Sequence, residues 1–182
     1  SVMTGLAGVN LYYAEKLLQW TVKFSCAINE LVQTYDDHFS EELNNAKQHT
    51  GQQDIAKLMR EFLADSKRTR KRAEHLYQGE HNETVFKEKV QEYYSLRCVP
   101  QILGPVLDTL QHTQRIFEEE LNSANDNPIV DLPTQQVYHG GNFHGDYISL
   151  EMDKLKLIVT RMAMLAERQL NYLLNPKINE LL

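Results

Sequence analysis

Three polar side chains at regular spacing, Gln91, Tyr94 and Arg97, form the group in the sequence best suited to chemistry. If their segment is helical, residues at i, i+3 and i+6 descend one side of the helix. That side would offer an amide, a phenol and a guanidinium. Because a guanidinium pairs with a carboxylate through two hydrogen bonds and a phenol can donate or accept a proton, the set suits a small zwitterion. A buried ion pair beside a capping tyrosine is the structural alternative.

Two later segments also stand out. Residues Asn122–Pro128 run Asn-Ser-Ala-Asn-Asp-Asn-Pro, a pattern equally typical of a helix exit whose side chains bond their own backbone. The loop His139–Gly145 holds three glycines that permit close backbone approach. It presents one aromatic ring, Phe143, which could lie against a planar substrate. The loop lacks the Lys-Ser/Thr pair of a phosphate-binding loop.

The sequence offers little for a metal or a disulfide. His139, His144 and Asp146 cluster without a firm third ligand, so we expect no metal site. Cys26 and Cys98 are far apart and lack Cys-x-x-Cys spacing. We therefore expect both to be reduced, buried thiols.

Composition restricts the class of protein. The chain has 182 residues, of which 42% are apolar, and a mean hydropathy of -0.49, as expected for a globular protein with one core. There are 25 acidic and 19 basic residues, and the net charge of -6 disfavours nucleic acid as a partner. The apolar stretches are shorter than the roughly 18 to 20 residues of a membrane span, and no leader opens the chain. We expect a cytoplasmic protein without a membrane partner.

The first half of the chain is predicted to be helical, because the 5 prolines and 8 glycines of the chain are clustered. Apolar spacing predicts one long helix from about Thr4 to Thr34, with a polar exit over Tyr35–Gln48. A shorter helix is predicted from an N-cap at Asp54 to Leu63. Residues Ser66–Thr84 are predicted to form a solvated loop; contact of its basic run with phosphate is the alternative. The basic residues of this run are Lys67, Arg68, Arg70, Lys71 and Arg72.

The second half is predicted to contain two further long helices. One runs from Val99 to near Asn122, and the other from Ile148 to Leu174. The latter is apolar on more than one side, which predicts burial among neighbouring helices. The fold class is therefore all-α. Both ends of the chain look cut, so we expect residues 1–182 to be one all-helical fragment of a longer protein.

Three segments in this order closely resemble the histidine, phenylalanine and tyrosine ammonia-lyases. They are Tyr94-Ser95-Leu96-Arg97-Cys98 with Pro100-Gln101 and Gly104, then Asn122–Pro128, then Gly141-Asn142-Phe143-His144-Gly145. The resemblance covers the whole chain. It implies a long-helix bundle, part of the fumarase/aspartase-like superhelical fold, and a homotetramer whose active sites are assembled at subunit contacts.

The resemblance also implies chemistry and residue roles. Enzymes of this family use an electrophile, 4-methylidene-imidazol-5-one, made from an internal Ala-Ser-Gly. No Ala-Ser-Gly occurs in these 182 residues, so no cofactor-binding residue is expected among them. By resemblance, Arg97 binds the substrate carboxylate and Tyr94 is the catalytic proton relay beside the electrophile. Gln91 helps to hold the hydrogen bonds of the site, and Phe143 packs against the electrophile.

The substrate expected from the resemblance is L-histidine, which would be converted to urocanate with loss of ammonia. A tyrosine or phenylalanine ammonia-lyase, or a 2,3-aminomutase, is the alternative. Glu92-Tyr93 stands where many histidine-specific relatives have Asp-Pro, and it resembles some tyrosine-acting members. A non-catalytic helical oligomerisation module is the alternative of another class. We expect the 182 residues alone to be inactive, because an arginine and a phenol cannot by themselves activate an amine as a leaving group.

Overall fold

Helices dominate the computed structural model, which describes residues 2–77 and 90–179. In chain order the elements are α1 (Val2–Leu31), a 3-10 helix (Asp36–Phe39), α2 (Glu41–Asn45), α3 (Thr50–Leu63), α4 (Arg72–His75), α5 (Tyr94–Arg97), α6 (Val99–Leu121), β1 (Ile129–Asp131), β2 (Gln136–Tyr138), α7 (Asp146–Leu174) and α8 (Pro176–Asn179). The predicted all-α class and the long helices near 99–122 and 148–174 are confirmed. The exception to helix is an antiparallel hairpin, in which Ile129 pairs with Tyr138.

The three long helices lie side by side, with α6 packed on both α1 and α7. Near one end of the bundle, Phe117 of α6 lies against Gly8 of α1, where a Cβ would be 2.5 Å from the ring. At the other end, Ser25 of α1 bonds Gln169 of α7. Helices α1 and α7 therefore run parallel, and α6 runs antiparallel to both.

The core follows from the periodic placement of apolar residues on these helices. On α1 the buried side chains recur every three or four positions, which places them on one stripe facing α6 and α7. The buried core residues shared by the long helices and α3 include Leu11, Leu18, Val22, Ile55, Met59, Leu103, Val106, Leu110, Leu155, Ile158, Met162 and Leu165. Such a core excludes water from the bundle and fixes the relative positions of its helix ends.

Helix α3 crosses α6 at a contact between two glycines. A Cβ on Gly51 would lie 2.3 Å from the carbonyl oxygen of Gly104, and a Cβ on Gly104 would lie 2.6 Å from the backbone nitrogen of Gln52. The amide of Gly51 donates to Oδ1 of Asp108 at 2.9 Å. This contact satisfies a first-turn amide of α3, so the helix begins at Thr50. The predicted N-cap at Asp54 is wrong.

The segment after α1 is more structured than its polar sequence predicts. Helix α1 ends at Leu31 rather than near Thr34, and Gln33 has a φ of 55°, which turns the chain. The side chain of Asn29 donates to the carbonyl of Ser25 at 2.8 Å and accepts from Thr34 Oγ1 at 2.8 Å. The predicted polar exit therefore holds a 3-10 helix and α2, with Tyr35 and Phe39 buried.

The predicted solvated basic loop is wrong in part. Arg70 forms a parallel β-bridge with Tyr35, and Arg72 begins the short helix α4. The side chain of Arg72 is 13% exposed because it pairs with Asp37. Lys67 and Arg68 are exposed, as predicted. Residues 78–84 of the predicted loop lie outside the described residues.

Two long helices keep apolar side chains on the surface of the single chain. The burial among neighbouring helices predicted for α7 holds within this chain for one side, where Ile148, Leu155 and Met162 are buried. The exposed apolar residues of α7 are Tyr147, Leu150, Leu157, Met164, Leu170 and Leu174, and those of α1 include Leu6, Val9, Tyr13, Leu17, Trp20 and Phe24. Within residues 2–77 and 90–179, none of the helices has the length and apolarity needed to cross a membrane.

Candidate active site

Gln91, Tyr94 and Arg97 line one shallow surface pocket of about 280 Å³, together with Glu92 and Tyr93. Helix α5 is a single turn that begins at Tyr94, so Gln91 precedes it. Gln91 therefore does not share a helix face with Tyr94 and Arg97, as it would if the whole segment were helical, although the pocket still brings the three side chains together. The guanidinium carbon of Arg97 lies 4.8 Å from the centroid of the Tyr94 ring, and 71% of Tyr94 is exposed.

The base of α5 is held by a buried polar network. Nε2 of Gln169 donates to the carbonyl oxygen of Ser95 at 3.0 Å and to Oγ of Ser25 at 2.9 Å. All three bonds of this network, including the return bond from Ser25 to Oε1 of Gln169 at 3.3 Å, cross between different elements. Leu96 is fully buried beside them. Sequence reasoning missed Gln169; an amide at a core position of an apolar helix is the signal that could have revealed it.

A second polar cluster is centred on Asn44, next to His38. Asn44 Oδ1 accepts from Nε2 of Gln52 at 3.1 Å and of Gln101 at 3.5 Å. The side-chain amide of Asn44 donates to the carbonyl of His38 at 3.2 Å. Among the described residues, three buried atoms lack a hydrogen-bond partner: Nε2 of His38, Nε of Arg97 and Oε1 of Gln101.

His38, the buried histidine near Arg97 and Arg72, adds no further positive charge. Burial, opposed by the negative charge of Asp37 and helped by the positive charges of Arg72 and Arg97, lowers the pKa of His38 to about 4. His38 is therefore neutral near pH 7. With a guanidinium and a phenol lining one pocket, the arrangement can bind a carboxylate and exchange a proton beside it.

Phe143 lies far from this pocket. It sits in the loop before α7, is 63% exposed, and has the ring of His144 6.5 Å away. The adjoining Gly145 packs against Met3 at the start of α1. Gln169, which bonds Ser95, comes 23 positions after Asp146 on α7. At 1.5 Å per residue, the two regions are about 35 Å apart. One chain cannot place Phe143 and Tyr94 around the same small molecule.

Side chains of the Asn122–Pro128 turn bond nearby backbone carbonyls, as the interpretation of this segment as a helix exit predicts. Nδ2 of Asn122 donates to the carbonyl of Glu118 at 2.7 Å, and Nδ2 of Asn125 donates to that of Glu120 at 2.9 Å. The turn also supports the glycine-rich loop, because Oδ1 of Asn127 accepts from the amide of Gly140 at 2.8 Å. The turn therefore shapes the loop that presents Phe143.

The cysteines and the loop histidines show no site of their own. Burial raises the pKa of Cys26 to about 12 and also raises that of Cys98, and both are free thiols. Cys26 is buried as predicted, whereas Cys98 is half-buried. Nδ1 of His144 lies 3.3 Å from Oδ2 of Asp146. Across the described part of the chain, no three His, Cys, Asp or Glu side chains cluster as metal ligands would.

Comparisons with known proteins cover the whole chain. A family model described as aromatic amino acid lyase matches residues 1–182. A tyrosine 2,3-aminomutase of Myxococcus sp. (strain Mx-B0) is 42% identical over 99% of this chain and 35% of its own length. The histidine ammonia-lyase of Bacillus subtilis (strain 168) is 36% identical over 98% of this chain and 33% of its own length.

The fold comparison agrees. The structure of Pantoea agglomerans phenylalanine aminomutase superposes with a TM-score of 0.93 and 31% identity, covering 100% of this chain and 36% of that one. The chain thus spans about a third of the length of the relatives it matches.

Proposed function

Because the chain belongs to the aromatic amino acid lyase family, we propose that the full-length protein acts on L-tyrosine and moves its amino group from C2 to C3. The observation that carries the proposal is the 42% identity to a tyrosine 2,3-aminomutase along nearly the entire chain. Glu92-Tyr93, in place of the Asp-Pro of many histidine-specific relatives, supports the same choice. Histidine, the substrate first expected, becomes the second candidate.

In this proposal each of the three pocket residues has a different role. Arg97 binds the substrate carboxylate through its planar fork, since a bidentate pair fixes orientation as well as charge. Tyr94 holds or moves a proton at its phenol oxygen. Gln91 donates or accepts a hydrogen bond at the rim of the same pocket. The carboxylate would complete a site in which Arg97 is the positive charge and His38 is neutral.

The electrophile would come from outside these 182 residues. We propose that the full-length protein forms 4-methylidene-imidazol-5-one from an Ala-Ser-Gly elsewhere in its chain, and this group supplies the electron sink that makes the amine a workable leaving group. The residues present fit such a group, because Tyr94 and Phe143 expose most of their rings and can pack against a planar partner.

The active site would then be shared between subunits. Tyr94 and Phe143 are about 35 Å apart in one chain, by the helical rise over α7. If both serve one site, they must come from different copies of the chain. The exposed apolar sides of α1 and α7 offer surface for such an assembly. We propose a homo-oligomer, and a tetramer as its form.

The second candidate is an ammonia-lyase that converts L-histidine to urocanate. The 36% identity to the histidine ammonia-lyase of Bacillus subtilis favours it. It uses the same residues in the same roles, so the pocket geometry is compatible with both candidates. The two differ in product: an aminomutase returns the amino group to the carbon chain, whereas an ammonia-lyase releases it.

Product analysis of the full-length protein tests the proposal. Incubation with tyrosine, phenylalanine and histidine in turn, followed by chromatography and an ammonia assay, should show β-tyrosine from tyrosine with little net ammonia. Urocanate and stoichiometric ammonia from histidine alone would establish the second candidate instead. No product from any of the three would favour the non-catalytic module. The 182-residue chain serves as the control, and we predict that it releases no ammonia.

A further inference from the structure

Two arginines of the basic run pack against one buried aromatic ring. The guanidinium carbons of Arg72 and Arg70 lie 4.2 Å and 5.1 Å from the centroid of Tyr35. Tyr35 is 1% exposed, and its hydroxyl shares a 2.8 Å hydrogen bond with Nδ1 of His75. A guanidinium is attracted to an aromatic face by the negative charge density of the ring, so the ring of Tyr35 helps to hold both groups in place.

The same two arginines are anchored to the segment that follows α1. Arg72 pairs with both carboxylate oxygens of Asp37, at 2.6 Å and 3.2 Å. Nε of Arg70 donates to the carbonyl of Gln33 at 2.6 Å, and its backbone amide donates to the carbonyl of Thr34 at 2.9 Å. The bidentate pair with Asp37 restrains the guanidinium of Arg72, and the bond to Gln33 restrains that of Arg70.

From this anchored position each arginine reaches the segment that opens the candidate active site. Nη1 of Arg72 donates to the carbonyl of Val90. Nη2 of Arg70 lies 3.8 Å from Oε1 of Glu92, whose side chain is 6% exposed. The residue between these two contacts is Gln91. Because Gln91 precedes α5, helical hydrogen bonds do not set its position, whereas both of its neighbours are held by arginines.

We infer that Arg70 and Arg72 are positioning residues for Gln91: by holding Val90 and Glu92, they fix the direction in which Gln91 enters the pocket of Tyr94 and Arg97. The inference rests on the proposed function, in which Gln91 orders the hydrogen bonds of the bound substrate. Both arginine side chains pack against the ring of Tyr35, so this ring helps to set their position relative to Val90 and Glu92.

Conservative substitutions in the full-length protein test this role. Arg72→Lys and Arg70→Lys keep the positive charge but lose the planar fork that stacks and pairs with two oxygens. Arg68→Lys is the matched control, since Arg68 lies in the same run and bonds the carbonyl of Leu31 instead, at 3.4 Å. Displacing a substrate-contacting group by about 1 Å can cost on the order of a hundredfold, so we expect kcat/KM for tyrosine to fall about ten- to a hundredfold in Arg72→Lys. Arg68→Lys should stay within about twofold of the wild type.

A double-mutant cycle separates positioning from a general loss of structure. If Arg72 acts through Gln91, then Arg72→Lys should change kcat/KM much less in a Gln91→Ala background than in the wild type, because residues acting as a unit are not additive. Equal fold-losses in both backgrounds would overturn the inference. So would a loss of kcat/KM matched by a lower melting temperature and shared by Arg68→Lys.

A measurement that does not depend on enzyme activity tests this role of the arginines separately from the proposed function. Hydrogen exchange of peptides covering residues 90–97 in the full-length protein should become faster in Arg72→Lys and Arg70→Lys, but not in Arg68→Lys. A peptide from the middle of α6 should be unchanged in all three. If the protein converts no aromatic amino acid, the proposed function fails, and exchange alone decides whether the arginines hold this segment. Unchanged exchange at 90–97 would refute the anchoring itself.

Discussion

Acidification should destabilise this protein through one buried histidine, His38. The residue is 6% exposed, and burial, with Arg72 and Arg97 nearby, lowers its pKa to about 4 from a value of 6.5 in the unfolded chain. Below pH 6.5 His38 binds a proton in the unfolded state, whereas in the folded state it binds one only near pH 4 and below. The stabilisation is therefore complete above pH 6.5, and it is lost progressively between pH 6.5 and pH 4.

The size of the loss follows from the two pKa values. At pH 5.0 the difference in proton binding amounts to about 2 kcal/mol of unfolding free energy, and the limit below pH 4 is about 3 kcal/mol. His38→Gln removes this titration while leaving a polar side chain of similar size. The wild type should therefore lose about 2 kcal/mol more than His38→Gln between pH 7.5 and pH 5.0.

Urea denaturation of the 182-residue chain at several pH values, followed by circular dichroism, measures this difference. Comparing the two proteins at each pH cancels the titration of the other groups. His49→Gln is the control, since His49 is an exposed residue at the start of α3 whose side chain makes no cap hydrogen bond. It should keep the pH dependence of the wild type. Parallel curves for the wild type and His38→Gln, within about 0.5 kcal/mol, would refute the assignment of a neutral, buried His38.

Two other changes should report on packing and on a buried charge. Gly104→Ala puts a Cβ 2.6 Å from the backbone nitrogen of Gln52, so α3 must move away from α6. The unfolding free energy should fall by about 2 kcal/mol or more, whereas the exposed Gly140→Ala should have less than half that effect in the same urea titration. Glu151→Gln keeps an oxygen that can accept a hydrogen bond from Thr113 but loses the ion pair with Lys154. Burial alone would raise the pKa of Glu151, but the hydrogen bond from Lys154 helps to lower it. The free energy of unfolding of the variant should be about 1 to 3 kcal/mol lower than that of the wild type at pH 7. This difference should become smaller as the pH falls through the lowered pKa of Glu151, because the wild-type carboxylate is then protonated. A difference that is constant with pH would contradict this.

The sequence alone was sufficient for the parts of the protein that depend on local pattern. The apolar repeats placed α6 and α7 within two residues of their ends, because a helix buries whichever face its 3.6-residue period makes apolar. Tyr94 and Arg97 were recognised as neighbours for the same reason, since they share one helical turn. The family resemblance also depended on contiguous segments, which are visible without a structure.

Contacts between distant residues were decided only by the tertiary structure. The start of α3 depends on Gly51 meeting Gly104, and nothing local to residue 50 indicates that crossing. The basic run was predicted to be solvated because its own neighbours are polar, yet Arg72 is covered by Tyr35, 37 positions earlier. These contacts form when packed helices bring remote surfaces together, and a pattern read along one segment does not contain them.

The separation of Phe143 from Tyr94 has the same origin. The two lie in segments that resemble parts of one active site, so the sequence suggests that they are close. The unbroken length of α7 sets them about 35 Å apart in the single chain. A straight helix cannot fold back on itself, because each turn is fixed by backbone hydrogen bonds four residues apart. The sequence therefore determined which residues could take part in the site, and the rigid helices of the bundle decided that one chain cannot bring all of them together.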